Sequence, residues 1–111
     1  MGLRQPYCVL AVVAGVALGA VAPASAAPSE GQKLVAANCL TCHEVKGGDD
    51  FGNVGPSLVG LKSRYPDRKE VAAIIFDETK HNPQTVMPPF GRNLIVNQNE
   101  IDAMVDFLYT Q

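Results

Sequence analysis

Cysteine is scarce in this sequence of 111 residues, which contains only Cys8, Cys39 and Cys42. Cys8 precedes the apolar run near the N-terminus and is expected to be removed with it. If so, one pair, Cys39 and Cys42, must serve whatever role thiols have in the remaining chain. A domain of this size buries only a thin core and usually needs a crosslink, a metal or a cofactor.

The chain also lacks an excess of positive charge. Its formal net charge is −2, and loss of Arg4 with the N-terminal segment would make it more acidic. No basic patch suited to a nucleic-acid backbone is present, so the sequence predicts no nucleic-acid partner. A pattern of alternating apolar and polar residues, typical of β-strands, is also missing.

The one long apolar run, Val9 to Val21, is shorter than the ~20 residues that a membrane-spanning helix needs. Arg4 precedes it, and Ala24-Ser25-Ala26 follows with the small residues of a signal peptidase site. The sequence therefore predicts a secretory signal peptide over residues 1–26 that is cleaved, a single domain over 27–111 and export from the cytoplasm. The alternative is an uncleaved segment that anchors the domain to the membrane.

Three helices are expected in the remaining chain, separated by loops rich in glycine and proline. Gly31 lies in the first turn of the first helix, where it costs roughly 1 kcal/mol relative to alanine, and this indicates that another element packs closely there. The first helix is expected over Glu30–Ala37, with Ser29 as its cap. The second should begin after Pro66, with Asp67 and Glu70 as its capping box. The third should begin at Asn97, with Glu100 as the capping partner. Residues 80–92 contain three prolines and should form no regular structure. The fold class is all-α.

The stretch Cys39-Leu-Thr-Cys42-His43 decides between several kinds of site. Two thiols at this spacing can add to the vinyl groups of haem, and the adjacent imidazole can then reach the iron. A zinc site would need further ligands, and only His81 remains. A redox dithiol would follow a strand, and a plain disulfide would close a very short loop. The pattern favours covalent haem c, with Cys39 and Cys42 as attachment points and His43 as an iron ligand.

Met87 is the expected second iron ligand, because it lies in a loop stiffened by Pro88 and Pro89 where a thioether has no evident packing role. Met104 fits the apolar stripe of the last helix and is expected in the core. His81 is the weaker candidate, more typical of an exposed loop residue. A carbonyl of the Gly55-Pro56 turn is expected to accept the remaining N–H of His43 and orient its ring.

The chain from residue 27 onward resembles a class I cytochrome c, with Cys-x-x-Cys-His near the start, a late methionine and a closing helix. In that family the first and last helices cross at a glycine, which implies a contact of Gly31 with Phe107 or Leu108. The stretches GNVGPSLVGLKSRY, IIFDETKHNP and NPQTVMPPFGRN are more specific. They resemble the SoxX subunit of the periplasmic SoxAX cytochrome.

The SoxX resemblance implies an electron-transfer subunit with one haem c and a SoxA-like partner subunit. The complex of that family couples thiosulfate oxidatively to a cysteine of a SoxYZ carrier, and the reactive cysteine belongs to the larger subunit. This chain would then relay electrons to a downstream acceptor and would not be the catalytic subunit. The alternative is a free periplasmic electron carrier that serves a terminal oxidase or reductase. The sequence has no tryptophan, which many cytochromes c place beside a haem propionate.

Overall fold

The computed structural model describes Gly2 and residues 26–47 and 52–111. The predicted signal peptide lies almost wholly outside these residues and remains a prediction. Within the described part of the chain no helix is long and apolar enough to span a membrane. The elements are α1 (Glu30–Asn38), α2 (Leu61–Arg64), α3 (Arg68–Asp77), a 3₁₀ turn (Glu78–Lys80) and α4 (Gln98–Leu108). The described residues contain no strand, and the predicted all-α class is confirmed.

Side-chain caps start the three longer helices at the predicted positions. Ser29 accepts a hydrogen bond from the backbone N–H of Gln32 at the start of α1. At α4, Asn97 and Glu100 form a full capping box, since each side chain accepts from the backbone N–H of the other. Each such cap stabilises a helix by about 1 kcal/mol.

The sequence prediction was wrong in three details of the secondary structure. Asp67 caps α3 by accepting from the N–H of Lys69, but no reciprocal bond from Glu70 completes a box. The short helix α2 was not expected, because four residues are too few to show a period. Lys80 belongs to the 3₁₀ turn, so the irregular segment starts one residue later than predicted.

The crossing of α1 and α4 forms the centre of the fold. A Cβ on Gly31 would lie 2.7 Å from the carbonyl carbon of Ala103 and 3.1 Å from Cβ of Phe107. Because only a glycine allows this approach, the predicted crossing at Gly31 is confirmed, with Ala103 as its nearest neighbour. Met104 is fully buried in this crossing, as expected for a core residue.

The core extends from this crossing to α3 and to the loops. Burial of each large apolar side chain contributes roughly 1.5–3 kcal/mol. The buried apolar residues are Val35, Cys39, Val45, Leu61, Val71, Ile75, Phe90, Val96, Ile101, Met104, Val105 and Leu108. The set includes one of the motif cysteines, so the candidate site is continuous with the core.

Candidate functional site

The turn that ends α1 carries both thiols and the imidazole of the motif. Cys39 is the C-cap of α1, and its N–H donates to the carbonyl of Val35 at 2.8 Å. The carbonyl of Cys39 accepts from the N–H of Cys42 at 3.1 Å and of His43 at 2.9 Å. These bonds bring the three chemical groups together on one turn, as the spacing of the motif predicts.

A backbone carbonyl fixes the ring of His43. Nδ1 of His43 lies 2.7 Å from the carbonyl oxygen of Pro56. Since a carbonyl oxygen can only accept, Nδ1 carries the proton in this bond, and Nε2 keeps a free lone pair. A histidine held in this way is the usual arrangement of a metal-ligating imidazole.

Gly55 leaves room for the imidazole. A Cβ at this position would fall 2.6 Å from Nδ1 and 2.7 Å from Nε2 of His43, well inside contact distance. The N–H of Gly55 also donates to the carbonyl of Cys42 at 2.7 Å. The segment before Pro56 therefore lies flat against the ring and is bonded to the motif itself.

A second glycine holds the same segment against the motif, and sequence reasoning did not single it out. The N–H of Gly52 donates to the carbonyl of Leu40 at 2.8 Å. A Cβ on Gly52 would lie 2.6 Å from the carbonyl carbon of Thr41 and 2.9 Å from Cα of Cys42. The sequence predicts a role only for the Gly55-Pro56 turn, although the closely spaced Gly52 and Gly55 also mark this close approach of two backbones.

The environment of Cys39 does not suit a redox dithiol. Burial, and to a smaller extent the neighbouring Cys42, raise the pKa of the Cys39 thiol to about 11. Reactive dithiols need the opposite, a thiolate stabilised at neutral pH. No disulfide joins the two cysteines, and no group of three or more His, Cys, Asp or Glu among the described residues is arranged to hold a metal ion.

Met87 lies in the irregular segment between the 3₁₀ turn and α4. It is partly buried and packs against the core cluster that also contains Cys39. Its N–H donates to the hydroxyl of Thr85 at 3.1 Å, which fixes the backbone just before Pro88 and Pro89. His81 is exposed, and its Nδ1 lies 3.8 Å from Oε2 of Glu78.

Two arginines of the described chain are engaged in internal contacts. Arg64 donates to the carbonyls of Val59 and Ser57. Arg92 pairs with the buried carboxylate of Asp77, with Nη1 and Oδ2 2.9 Å apart. No sequence pattern connects two residues fifteen positions apart across an irregular loop, so this ion pair could not be foreseen.

The arrangement fits a covalently held haem. Two thiols at the attachment spacing and an oriented imidazole with a free Nε2 are groups that hold a c-type haem, and the glycine beside the ring leaves room for that imidazole. Residues 26–108 match the family described as cytochrome C oxidase, cbb3-type, subunit III. The chain belongs to this family of class I cytochrome c domains.

This cytochrome c domain binds haem c covalently through Cys39 and Cys42, and it is an electron-transfer protein. Bound haem supplies the one-electron chemistry, and the protein supplies attachment, orientation and a low-dielectric surrounding. No protein of curated function matches the sequence.

Proposed function

We propose that His43 and Met87 are the two axial ligands of the haem iron. The bond between His43 and the carbonyl of Pro56 supports the first role, because it leaves Nε2 as the only free ring nitrogen. A loop held by Thr85 and two prolines supports the second, since it presents a thioether with little loss of entropy. This ligand pair raises the reduction potential relative to two histidines.

Replacement of Met87 tests the second ligand. Met87→Ala should leave haem attached but lower the reduction potential by about 0.1 V or more, within the ~0.8 V range that axial ligands span. Met104→Leu is the matched control, because Met104 lies in the helical core. Protein-film voltammetry checks both variants, and an unchanged potential in Met87→Ala would remove this residue from the iron.

We further propose that the protein is the electron-relay subunit of a periplasmic thiosulfate-oxidising complex, in the manner of SoxX. The observation that carries this proposal is the similarity of the three stretches within residues 52–93 to that family. The thiol count supports a relay role. With Cys39 and Cys42 bonded to haem and Cys8 removed with the signal peptide, no cysteine remains to hold sulfur. The partner would be a larger, SoxA-like cytochrome that acts on a SoxYZ-like carrier.

Exposed apolar side chains on both sides of Met87 in the sequence support a lasting partner. Val86, directly before it, is 79% exposed, and Leu94 is 87% exposed. Ile95, next to Leu94, is half-exposed. Large apolar side chains so open to solvent in the polypeptide are candidates for contact with a partner or with the haem.

A pull-down from the periplasm of cells grown on thiosulfate tests this proposal. The tagged holoprotein should retain one larger cytochrome that contains a reactive cysteine, and the covalent mass of the tagged chain should include one haem. Leu94→Asp should weaken this association, whereas Ala36→Asp, on the exposed face of α1, should not. A tagged chain that carries haem but retains no cytochrome would argue against a relay subunit.

The second candidate is a free electron carrier that serves a terminal oxidase. The family description names a subunit of a cytochrome c oxidase, and so it supports the link to a terminal oxidase but not the free state of the carrier. The acidic net charge argues against a carrier that docks on the oxidase through lysines around the haem edge. Rapid oxidation of the reduced, isolated protein by oxidase-containing membranes, together with an empty pull-down, would establish this alternative.

A further inference from the structure

The irregular segment that carries Met87 begins directly after the 3₁₀ turn that follows α3. We refer to residues 81–92 as the methionine loop. At its start, the carbonyl of Glu78 accepts hydrogen bonds from the N–H groups of His81 at 2.9 Å and Asn82 at 2.8 Å. The start of the loop is therefore bonded through the main chain to the 3₁₀ turn.

The other end of the methionine loop returns to the end of α3. The carbonyl of Phe76 accepts from the N–H groups of both Gly91, at 3.2 Å, and Arg92, at 3.1 Å. Gly91 lies on the aromatic ring of Phe76, where an added Cβ would come within 2.8 Å of Cε2. The loop is thus closed on itself, with both ends on residues 76–78.

One side-chain contact adds to these main-chain bonds at the returning end. Asp77, 1% exposed, accepts from Nη1 of Arg92 at 2.9 Å through Oδ2. Its other oxygen, Oδ1, accepts from the N–H of Thr79 at 3.2 Å and from its hydroxyl at 2.5 Å. The bond from the Thr79 hydroxyl and the charge of Arg92 hold the pKa of Asp77 below its ordinary value, against the effect of burial. The carboxylate is therefore ionised and fully bonded at neutral pH.

We propose that the Asp77–Arg92 ion pair latches the methionine loop closed and so sets how readily Met87 leaves the haem iron. The proposal rests on the proposed ligation by Met87. Both members of the pair are positioning residues, since they act through the loop. The main-chain bonds to Phe76 persist whatever the side chains are, so the ion pair is the part of this anchor that substitution can remove.

Imidazole binding to the ferric holoprotein measures the opening of the loop. Added imidazole occupies the iron only when Met87 has left, so its apparent affinity is proportional to the open fraction. Asp77→Asn keeps the shape of the side chain and removes its charge. Imidazole should bind this variant roughly tenfold more tightly than the parent, which corresponds to the low end for loss of a hydrogen bond to a charged group. The charge-transfer band of methionine-bound ferric iron should weaken in parallel.

A double-mutant cycle separates the latch from a general loss of stability. Arg92→Gln should have an effect similar to that of Asp77→Asn, and the double variant should add little to either single change. Arg68→Gln is the matched control, because it removes the same charge from the exposed Arg68–Asp106 pair between α3 and α4. It should leave imidazole affinity unchanged. Mere destabilisation would lower the melting temperature of the variants without changing this affinity.

Met87→Ala in the same titration distinguishes the two proposals. It should bind imidazole most tightly of all, and Asp77→Asn should then cause no further change in that background. If Met87→Ala tightens binding but the two latch variants match the parent, the latch is wrong and the ligand assignment stands. If Met87→Ala itself matches the parent, the ligand assignment fails and the latch fails with it.

Discussion

The α1–α4 crossing differs from the haem-binding face, by which we mean the motif turn 39–43 and the segment 52–56 beside it. The two regions are held together by different chemical groups. Apart from the close backbone approach at Gly31, the crossing is made of side chains, and Val35, Ile101, Met104 and Val105 are each no more than 1% exposed. The haem-binding face is made largely of backbone, with carbonyl oxygens as acceptors and glycines at the closest approaches. The first region should therefore respond to substitutions mainly in its stability, and the second mainly in the properties of the haem.

Loss of both attachment thiols is expected to have the largest effect. Without haem, both the haem-binding face and the core that the cofactor completes should be affected. The Cys39→Ala, Cys42→Ala double variant should contain no covalent haem and should lose its cooperative unfolding transition, since the cofactor completes the thin core. Thr41→Ala, on the exposed residue between the cysteines, is the control. Mass spectrometry after denaturation and thermal melts followed by circular dichroism check both. A double variant that stays helical and melts cooperatively would show that the helices fold without haem.

Substitution at the helix crossing should affect stability alone. Gly31→Ala forces a methyl group against the backbone of Ala103 and should cost about 1–3 kcal/mol of unfolding free energy, typical of an overpacked core. The reduction potential should stay within error of the parent. Urea denaturation and voltammetry measure the two quantities, and Gln32→Ala, exposed on the next position of α1, serves as the control. A potential that moved with Gly31 would mean that the two regions are not separable.

Substitution beside the imidazole should show the reverse. Gly55→Ala pushes a methyl group into the ring of His43 and should shift the potential by up to about 60 mV, a tenfold change in the relative stability of the two oxidation states. Pro56→Ala is the sharpest control, because the carbonyl that accepts from His43 belongs to the main chain and is retained. Its shift should be much smaller. Equal shifts in both variants would indicate that the ring of Pro56, rather than its carbonyl, orients the histidine.

The smallest expected effect concerns Leu94, which has a φ of 57° and a largely exposed side chain. A leucine in this left-handed conformation is strained, so Leu94→Gly should raise the unfolding free energy, by up to about 1 kcal/mol. Ile95→Gly, at a neighbouring position without a positive φ, should lower it. If Leu94→Gly also weakens the partner complex in the pull-down, then this leucine is retained for binding at a cost in stability. A less stable Leu94→Gly variant would show that the side chain has a packing role.

The features that could be predicted from the sequence are those that depend on residues close together in the chain. The capping box of Asn97 and Glu100, the stripe through Ile101 and Met104, and the Cys-x-x-Cys-His spacing each lie within a short window. The glycine at position 31 indicated a close contact, although the nearest neighbour, Ala103, could not be read from the chain. Expectations for Pro56 and Met87 came from the chemistry that a haem iron requires.

The unpredicted features depend on residues brought together by the fold. The pair of Asp77 with Arg92 is one example, and the bond from the hydroxyl of Tyr109 to the carbonyl of Tyr65 at 2.6 Å is another. Asp77 follows the apolar residues of α3, where a carboxylate would ordinarily be placed on the solvent side. Its burial becomes intelligible only once the methionine loop returns to cover it. No local pattern indicates such a return.

The burial of Cys39 has a consequence for the order in which this protein is made. Its side chain, 7% exposed, lies in the same cluster as residues of α3 and α4 and the loop before α4. An enzyme that joins haem to this thiol needs access from outside, and the finished core denies that access. We therefore expect thioether formation at Cys39 to come before the closing helix docks. Folding would then follow haem attachment in time and enclose the finished thioether within the core.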